Sequence, residues 1–436
     1  MLAVQTKQKT SPDQPKPPRN TLKNSLEIVK QGDKTELKKI ARRRSLNTLK
    51  IAKRIALVVP RAVYNHPTVK TPRESRRLKK VLQDIYGLDT TVLGSKKSIA
   101  IIMRDGTHYP KSSAFIRLIG PLSQPLISNN YRLSLHPENT TQLPEGTHIC
   151  IVQRTAFDSV STAQQLLNEI KSKRCRLIID SDDAFNVIDR SHPEHNEQRE
   201  RVAAFELLLQ EADSVWLSTE ALVDVYPKTQ QKPIVIQNYL DSRIWKGPGV
   251  KSNDASRINM VYMGTATHDA DLEMIMPALR KLNKQYPDSF MLHVIGVSSA
   301  LPNEPWITRL QPNKTSLYPL FVKWFIRQGP FDIGLSPLVD SAFNRCKSDI
   351  KCLDYFAVGA VPVVSDITPY STPELAKLII KVPNNSDEWF AVLADIVKDP
   401  VASRKRLAAT QEQANDYVWA KRSVESAAET ILKNLR

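Results

Sequence analysis

The sequence predicts an α/β protein built from two doubly wound parallel-sheet domains, preceded by a basic arm. Three observations carry that prediction. From about Lys97 onward, short apolar runs that read as buried strands alternate with helical segments. The alternation restarts after a polar link at 246–256, KGPGVKSNDAS. The charge is uneven: the chain carries +17 over 436 residues, yet residues 1–95 hold 22 Lys/Arg against 7 Asp/Glu, leaving 40 against 38 for the rest. A chain of this length with 41% apolar residues supports two domains of ordinary size.

The arm, residues 1–96, comes first. Residues 1–20 are polar and proline-rich, a composition expected to be disordered. Residues 24–62 read as a basic helix, with Ile51, Ile55, Val58 and Val59 at helical spacing beside Lys50, Lys53 and Arg54. Such a stripe fits peripheral contact with an anionic membrane, or packing of its apolar side on its own protein. Nucleic acid is the weaker partner, because no zinc-finger spacing or RNA-recognition aromatic motif accompanies the charge. The opening residues lack the apolar centre of a secretory signal, and no apolar run reaches 18 residues. Cys150, Cys175, Cys346 and Cys352 lack metal-ligand spacing and read as free thiols of a cytoplasmic protein.

In the first domain, 97–243, strands are expected at 98–105, 148–154, 176–180, 214–219 and 233–238, with helices at 114–122, 161–173 and 199–212. The second domain, 244–415, should place strands at 258–264, 290–296, 331–338 and 361–366. Its helices are expected at 268–286, at 317–328 and between the last two strands, and further helices run to Arg436. Ligands of doubly wound sheets bind beyond the carboxyl ends of the strands. Two such sheets imply a cleft.

Four segments fall at those ends. Gly264 allows a tight turn, and Thr265 to His268 lead into a helix whose free amides suit phosphate. The segment Asn344, Arg345, Cys346, Lys347, Ser348 leads into Lys351 and Asp354. On a continuous helix Lys347, Lys351 and Asp354 would share one side. Arg345 and Lys347 could neutralise a diphosphate leaving group, with Lys351 as electrostatic helper and Asp354 accepting hydrogen bonds from ribose hydroxyls. Asp182 and Asp183 are paired carboxylates able to position an acceptor hydroxyl or act as base. The loop holding Arg104, His108 and Tyr109 would face the same cleft from the acceptor side. Each also has a plainer reading, as helix caps or an exposed ion-paired face.

Taken together, residues 331–370, VYMGTATHDADLEMIMPAL, IIDSDDAF, SVWLSTEAL and the late Trp419 resemble the GT-B glycosyltransferases. The likeness is to the bacterial cell-surface polysaccharide members of the large, mostly retaining family that includes sucrose synthase and mannosyltransferases. It spans about 97–436. It implies two Rossmann-like domains, with a nucleotide-sugar donor on the second and a glycan or lipid-linked glycan acceptor on the first. It also implies no metal requirement, no cofactor, and a terminal helix, 416–436, crossing back to the first domain. By position, Gly264 and Thr265 would lie by the phosphates, Lys347 would contact them, and Asp354 would stand at the family's ribose-binding glutamate. Cys346 stands where the family has its other glutamate, and the Asn-X-X-Lys-Ser form seen in the surface-polysaccharide subgroup is present. The competing readings are a non-catalytic protein of this fold that binds nucleotide or glycan, and an interaction protein that uses the basic arm.

Overall fold

The computed structural model describes residues 67–88, 96–104, 110–190, 195–226, 229–245, 256–264, 268–296, 303–312 and 317–436. The chain divides into two units between Arg73 and Glu74. The basic segment 24–62, with its expected membrane contact, lies outside the described residues. The second unit carries both sheets.

That unit begins inside the helix Pro67–Tyr86. Leu78, Val81, Leu82 and Tyr86 recur at helical spacing and are buried in one core with Ile99, Ile101 and Phe115. The Tyr86 and Phe115 rings stack with centroids 6.0 Å apart. The expected arm boundary at residue 96 is therefore corrected: this apolar stripe makes Glu74–Tyr86 part of the first domain.

The first sheet contains β1 (Lys97–Ile102), β2 (Tyr131–His136), β3 (Thr147–Gln153), β4 (Arg176–Ser181), β5 (Ser214–Leu217) and β6 (Ile234–Val235). All pairs are parallel, in the order β2-β1-β3-β4-β5-β6. The second contains β7 (Ile258–Met263), β8 (Phe290–Ile295), β9 (Ile307–Leu310), β10 (Ile333–Ser336), β11 (Val361–Ser365) and β12 (Ile380–Val382). It is also parallel, in the order β12-β11-β10-β7-β8-β9. Helices cover the sheets, as buried parallel strands require. Strands β2, β9 and β12 were not anticipated. They are sheet edges, largely half-buried, and so lack the continuous apolar run that marks a central strand.

The expected continuous helix through Lys347, Lys351 and Asp354 is broken. Ser341 caps a short turn, Ala342–Arg345, by accepting from the Asn344 amide at 3.1 Å. A separate helix, Ile350–Ala357, comes next, with Asp349 at its N-cap. Tyr355 on this helix packs its ring on Gly334 of β10, where an added Cβ would lie 2.3 Å from the ring. The ring cannot retreat. Its Oη donates to the Leu335 carbonyl at 2.8 Å and accepts from the Met263 amide at 3.1 Å. Gly334→Ala is expected to lower stability by roughly 3 kcal/mol, measured by urea denaturation.

The expected boundary at 415/416 falls within the helix Pro400–Lys421. The crossover lies later, at Arg422 and Ser423. Leu240 N donates to the Arg422 carbonyl and Val424 N to the Leu240 carbonyl, both at 2.9 Å. The Arg422 guanidinium grips Asp349 bidentately, at 2.6 and 2.7 Å, and donates to the Asn238 carbonyl at 3.1 Å. The last helix, Val424–Leu435, packs on the first-domain segments Gly120–Leu122 and Pro125–Ser128. Its Ala427, Ile431 and Leu435 enter the same core as β1.

Candidate active site

Each sheet reverses its strand order once, between β1 and β3 and between β10 and β7. Crevices open beyond the carboxyl ends of strands at such points. Here they meet in one cleft of about 360 Å³. Arg104, Arg154, Asp182 and Asp183 line it from the first domain, and His268, Lys347, Ser348 and Lys351 from the second.

Asp182 and Asp183 come directly after β4. Arg154 comes directly after β3, in the left-handed region at φ 54°. That backbone turns its guanidinium onto Asp182 and onto Asp183, the latter at 2.7 Å. Asp183 reaches the opposite wall too, where Lys347 Nζ stands 3.3 Å away. Burial alone would raise the Asp183 pKa, but Lys347 and then Arg154 outweigh it and hold the carboxyl below its ordinary value. Two further bonds span the cleft. Asn238 Nδ2 donates to Ser348 Oγ at 2.7 Å, and Thr219 Oγ1 donates to the Cys346 carbonyl at 3.0 Å. Residues 346–348 are thus fixed to the first domain by main-chain and side-chain bonds together.

Lys351, one turn further on, differs from Lys347. Its Nζ is buried and has no hydrogen-bond partner among the described residues. The Tyr262 ring centroid lies 5.5 Å away. Burial, with Lys347 nearby and against the pull of Asp271, lowers its pKa to about 8. At neutral pH this is a charged ammonium aimed at the cleft without an oxygen to hold. His268 sits beside it, just before the helix Asp269–Gln285. Its Nδ1 is 2.7 Å from Asp271 Oδ2. Burial first, and Lys351 second, lower its pKa to about 4 despite the Asp271 bond.

No family model matches the chain, and no curated protein matches it in sequence. Solved structures do match. HepE of Anabaena in complex with UDP-glucose superposes with a TM-score of 0.52 and 12% identity, covering 77% of this chain and 99% of that one. The apo structure of OtsA gives 0.51 and 13%, covering 78% and 99%. TarM aligns over 65% of this chain, which spans about half, 54%, of TarM, with a TM-score of 0.45. Two parallel sheets with one cleft between them, together with the match over 99% of HepE and of OtsA, decide the architecture.

The fold is GT-B. Only some of the sequence-derived residues line this GT-B cleft. Asp182, Asp183, Lys347, Ser348, Lys351, His268 and Arg104 come together, Arg104 being ion-paired with Glu197. Gly264 ends β7, its amide donating to the Ile295 carbonyl at 3.0 Å. Gly296 opposes it at φ +79°, where a Cβ would lie 2.3 Å from the Gly264 carbonyl oxygen, so the two turns approach closely. Thr265, His108 and Tyr109 lie outside the described residues.

Three residues are placed elsewhere. Arg345 is exposed and bound to Asp340 by two contacts of 2.6 and 2.8 Å, off the cleft wall. The short turn ending at Arg345 swings its side chain outward, which corrects its expected role at the leaving group. Asn344 donates at 2.8 Å to the Val339 carbonyl and supports the wall without lining it. Asp354 is 7% exposed and outside the lining, with Oδ1 buried and unbonded among the described residues. Burial raises its pKa well above the carboxylate range, against Lys351. The helix begins only at Ile350 and turns this carboxyl inward, off the cleft lining where the sequence placed it. Sequence reasoning missed Arg154, Asn238 and Asp271. Arg154 had a readable signal, as a charged residue closing the apolar run 149–152 at a strand's carboxyl end.

Among the described residues there is no cluster of three metal-ligating side chains, and no helix long and apolar enough to cross a membrane.

Proposed function

We propose that this protein is a glycosyltransferase that moves a sugar from a nucleoside diphosphate sugar to a hydroxyl of a glycan or lipid-linked glycan. The observation that carries the reading is the buried, unbonded Lys351 ammonium at the GT-B cleft, beside Lys347. A desolvated cation is costly unless an anion meets it, and a diphosphate supplies one. The relatedness in fold to HepE, solved with UDP-glucose, makes a UDP-sugar the first donor to test.

In this reading Lys351 and Lys347 take up the charge that develops on the leaving diphosphate, with no metal required. Asp183 faces the acceptor hydroxyl. Its depressed pKa suits accepting a hydrogen bond and orienting that hydroxyl more than removing its proton. Asp182, held by Arg154, keeps the pair in register. The bonds from Asn238 and Thr219 across the cleft favour a closed site that limits donor hydrolysis. We assign the chemistry to the retaining class and the role to cell-surface polysaccharide synthesis in the cytoplasm, on the sequence resemblance.

A melting screen with UDP, GDP, dTDP, ADP and CMP, each with and without EDTA, tests the proposal. One diphosphate is expected to raise Tm equally in both conditions, since a ligand of the folded state stabilises by mass action. A folded protein that responds to none of them would overturn the donor site, and a shift abolished by EDTA would overturn metal independence.

A further inference from the structure

His268 and Asp271 form a dyad whose chemistry is narrower than charge neutralisation. Asp271 is 3% exposed. Its Oδ1 accepts from the Val339 main-chain amide at 2.7 Å and from Asn344 Nδ2 at 3.4 Å. Its Oδ2 faces His268 Nδ1 at 2.7 Å. A main-chain amide can only donate and an ionised carboxylate can only accept, so Nδ1 must carry the imidazole proton. The ring is neutral, burial and Lys351 holding its pKa down to about 4. Nε2 is then a bare lone pair, and it takes no hydrogen bond from a described residue. The residue is also fixed from behind, Tyr262 Oη donating to the His268 carbonyl at 2.9 Å.

A bare lone pair repels phosphate oxygens, which are unprotonated at neutral pH, and matches a hydroxyl. We propose that Asp271 fixes His268 as the hydrogen-bond acceptor for a hydroxyl of the donor's sugar, so that the dyad reads the sugar and not the nucleotide. This rests on the reading of the cleft as a nucleotide-sugar site. The donor's sugar is chosen over the acceptor's hydroxyl because His268 belongs to the second domain, beside both lysines that would hold the diphosphate. His268 is here a binding residue and Asp271 a positioning residue.

The test is Asp271→Asn, with binding of UDP and UDP-glucose measured by calorimetry and the His268 tautomer read from imidazole ¹⁵N shifts. The new amide keeps its oxygen on the Val339 N–H and turns its NH₂ to Nδ1, which forces the proton to Nε2. UDP-glucose affinity should fall about tenfold while UDP affinity holds, the cost of one lost hydrogen bond at a buried site. Wild type should show the Nδ1–H tautomer and the variant Nε2–H. His268→Phe should reproduce the loss if Asp271→Asn fails to fold, and His268→Gln, whose amide oxygen reaches the Nε2 position, should restore part of it. Equal loss of UDP and UDP-glucose, no loss of either, or an Nε2–H tautomer in wild type would overturn the assignment. If wild type binds neither ligand, the reading of the cleft as a UDP-sugar site fails and the dyad's role falls with it.

Discussion

Lys351→Met is expected to weaken nucleoside diphosphate binding about 30-fold at pH 7, within the roughly 1.5–3 kcal/mol of a charge-assisted hydrogen bond. Methionine keeps a flexible unbranched side chain of similar length and removes the charge, with its cation–π contact to Tyr262. Lys347→Met should cost less, because Lys347 already faces Asp183 and a phosphate must compete with that carboxylate. The two lysines also separate by pH. With a pKa near 8, Lys351 in the empty site is about nine-tenths charged at pH 7 and about one-tenth at pH 9. The charged form binds the anion, so wild-type affinity should fall as pH rises through 8. His268 is already neutral and Asp183 already ionised across this interval, so neither supplies the slope. A nucleotide's terminal phosphate, with its second pKa at about 6, is already about nine-tenths ionised at pH 7, and the little charge it gains by pH 9 would strengthen binding, opposite to the expected slope. Calorimetry at pH 7 and pH 9 checks both expectations. A Lys351→Met variant that keeps the wild-type pH slope would remove Lys351 from the anion site.

The domain plan was legible because central parallel strands are buried on both faces, and continuous apolar runs such as 99–103 and 149–152 have no other economical explanation. Edge strands such as β9 were not, since a half-exposed strand carries no such run. Lys347, Ser348, Lys351, Asp182 and Asp183, which share one cleft, could be singled out because the carboxyl end of a strand is a place that sequence can mark. Arg345 was misplaced for a related reason. Sequence marks the loop but not the direction in which a one-turn helix points each side chain, and Ser341 decides that by capping at Asn344. The Lys347–Asp354 stripe failed because it assumed one helix, where Asp349, held by Arg422 from 73 residues away, starts a second. No local periodicity reports a partner that distant. Asn238 was illegible in the same way, because it works through Ser348 of a remote segment, and Asp271 because the Val339 amide that holds it lies 68 residues away.

Arg117→Met is expected to destabilise the protein by about 3–5 kcal/mol, the cost of leaving one member of a buried ion pair alone. Arg117 and Asp180 are 4% and 0% exposed. Arg117 sits in the π-helical turn Phe115–Ile119, and its Nε and Nη2 grip Asp180 at 2.8 and 2.6 Å. Nη1 holds the Ile236 carbonyl at 2.8 Å and Asn238 Oδ1 at 2.9 Å. Gln153 Nε2 gives Asp180 a second partner, donating to its Oδ2 at 3.0 Å. The pair has a second consequence, because Asn238 is the residue whose amide holds Ser348 across the cleft. With Oδ1 released, Asn238 is free to turn, and the loop carrying Lys347 loses a tether to the first domain. One substitution therefore gives two readouts. Urea denaturation should show the loss of stability, and nucleotide affinity, measured well below the unfolding transition, should fall in the folded fraction. The double variant Arg117→Met with Asp180→Leu separates them. Removing both charges takes away the orphaned carboxylate and should recover most of the stability. It restores no partner for Asn238, so the nucleotide affinity should stay low. Recovery of affinity together with stability would mean that Asn238 needs no anchor and that the buried pair serves the fold alone.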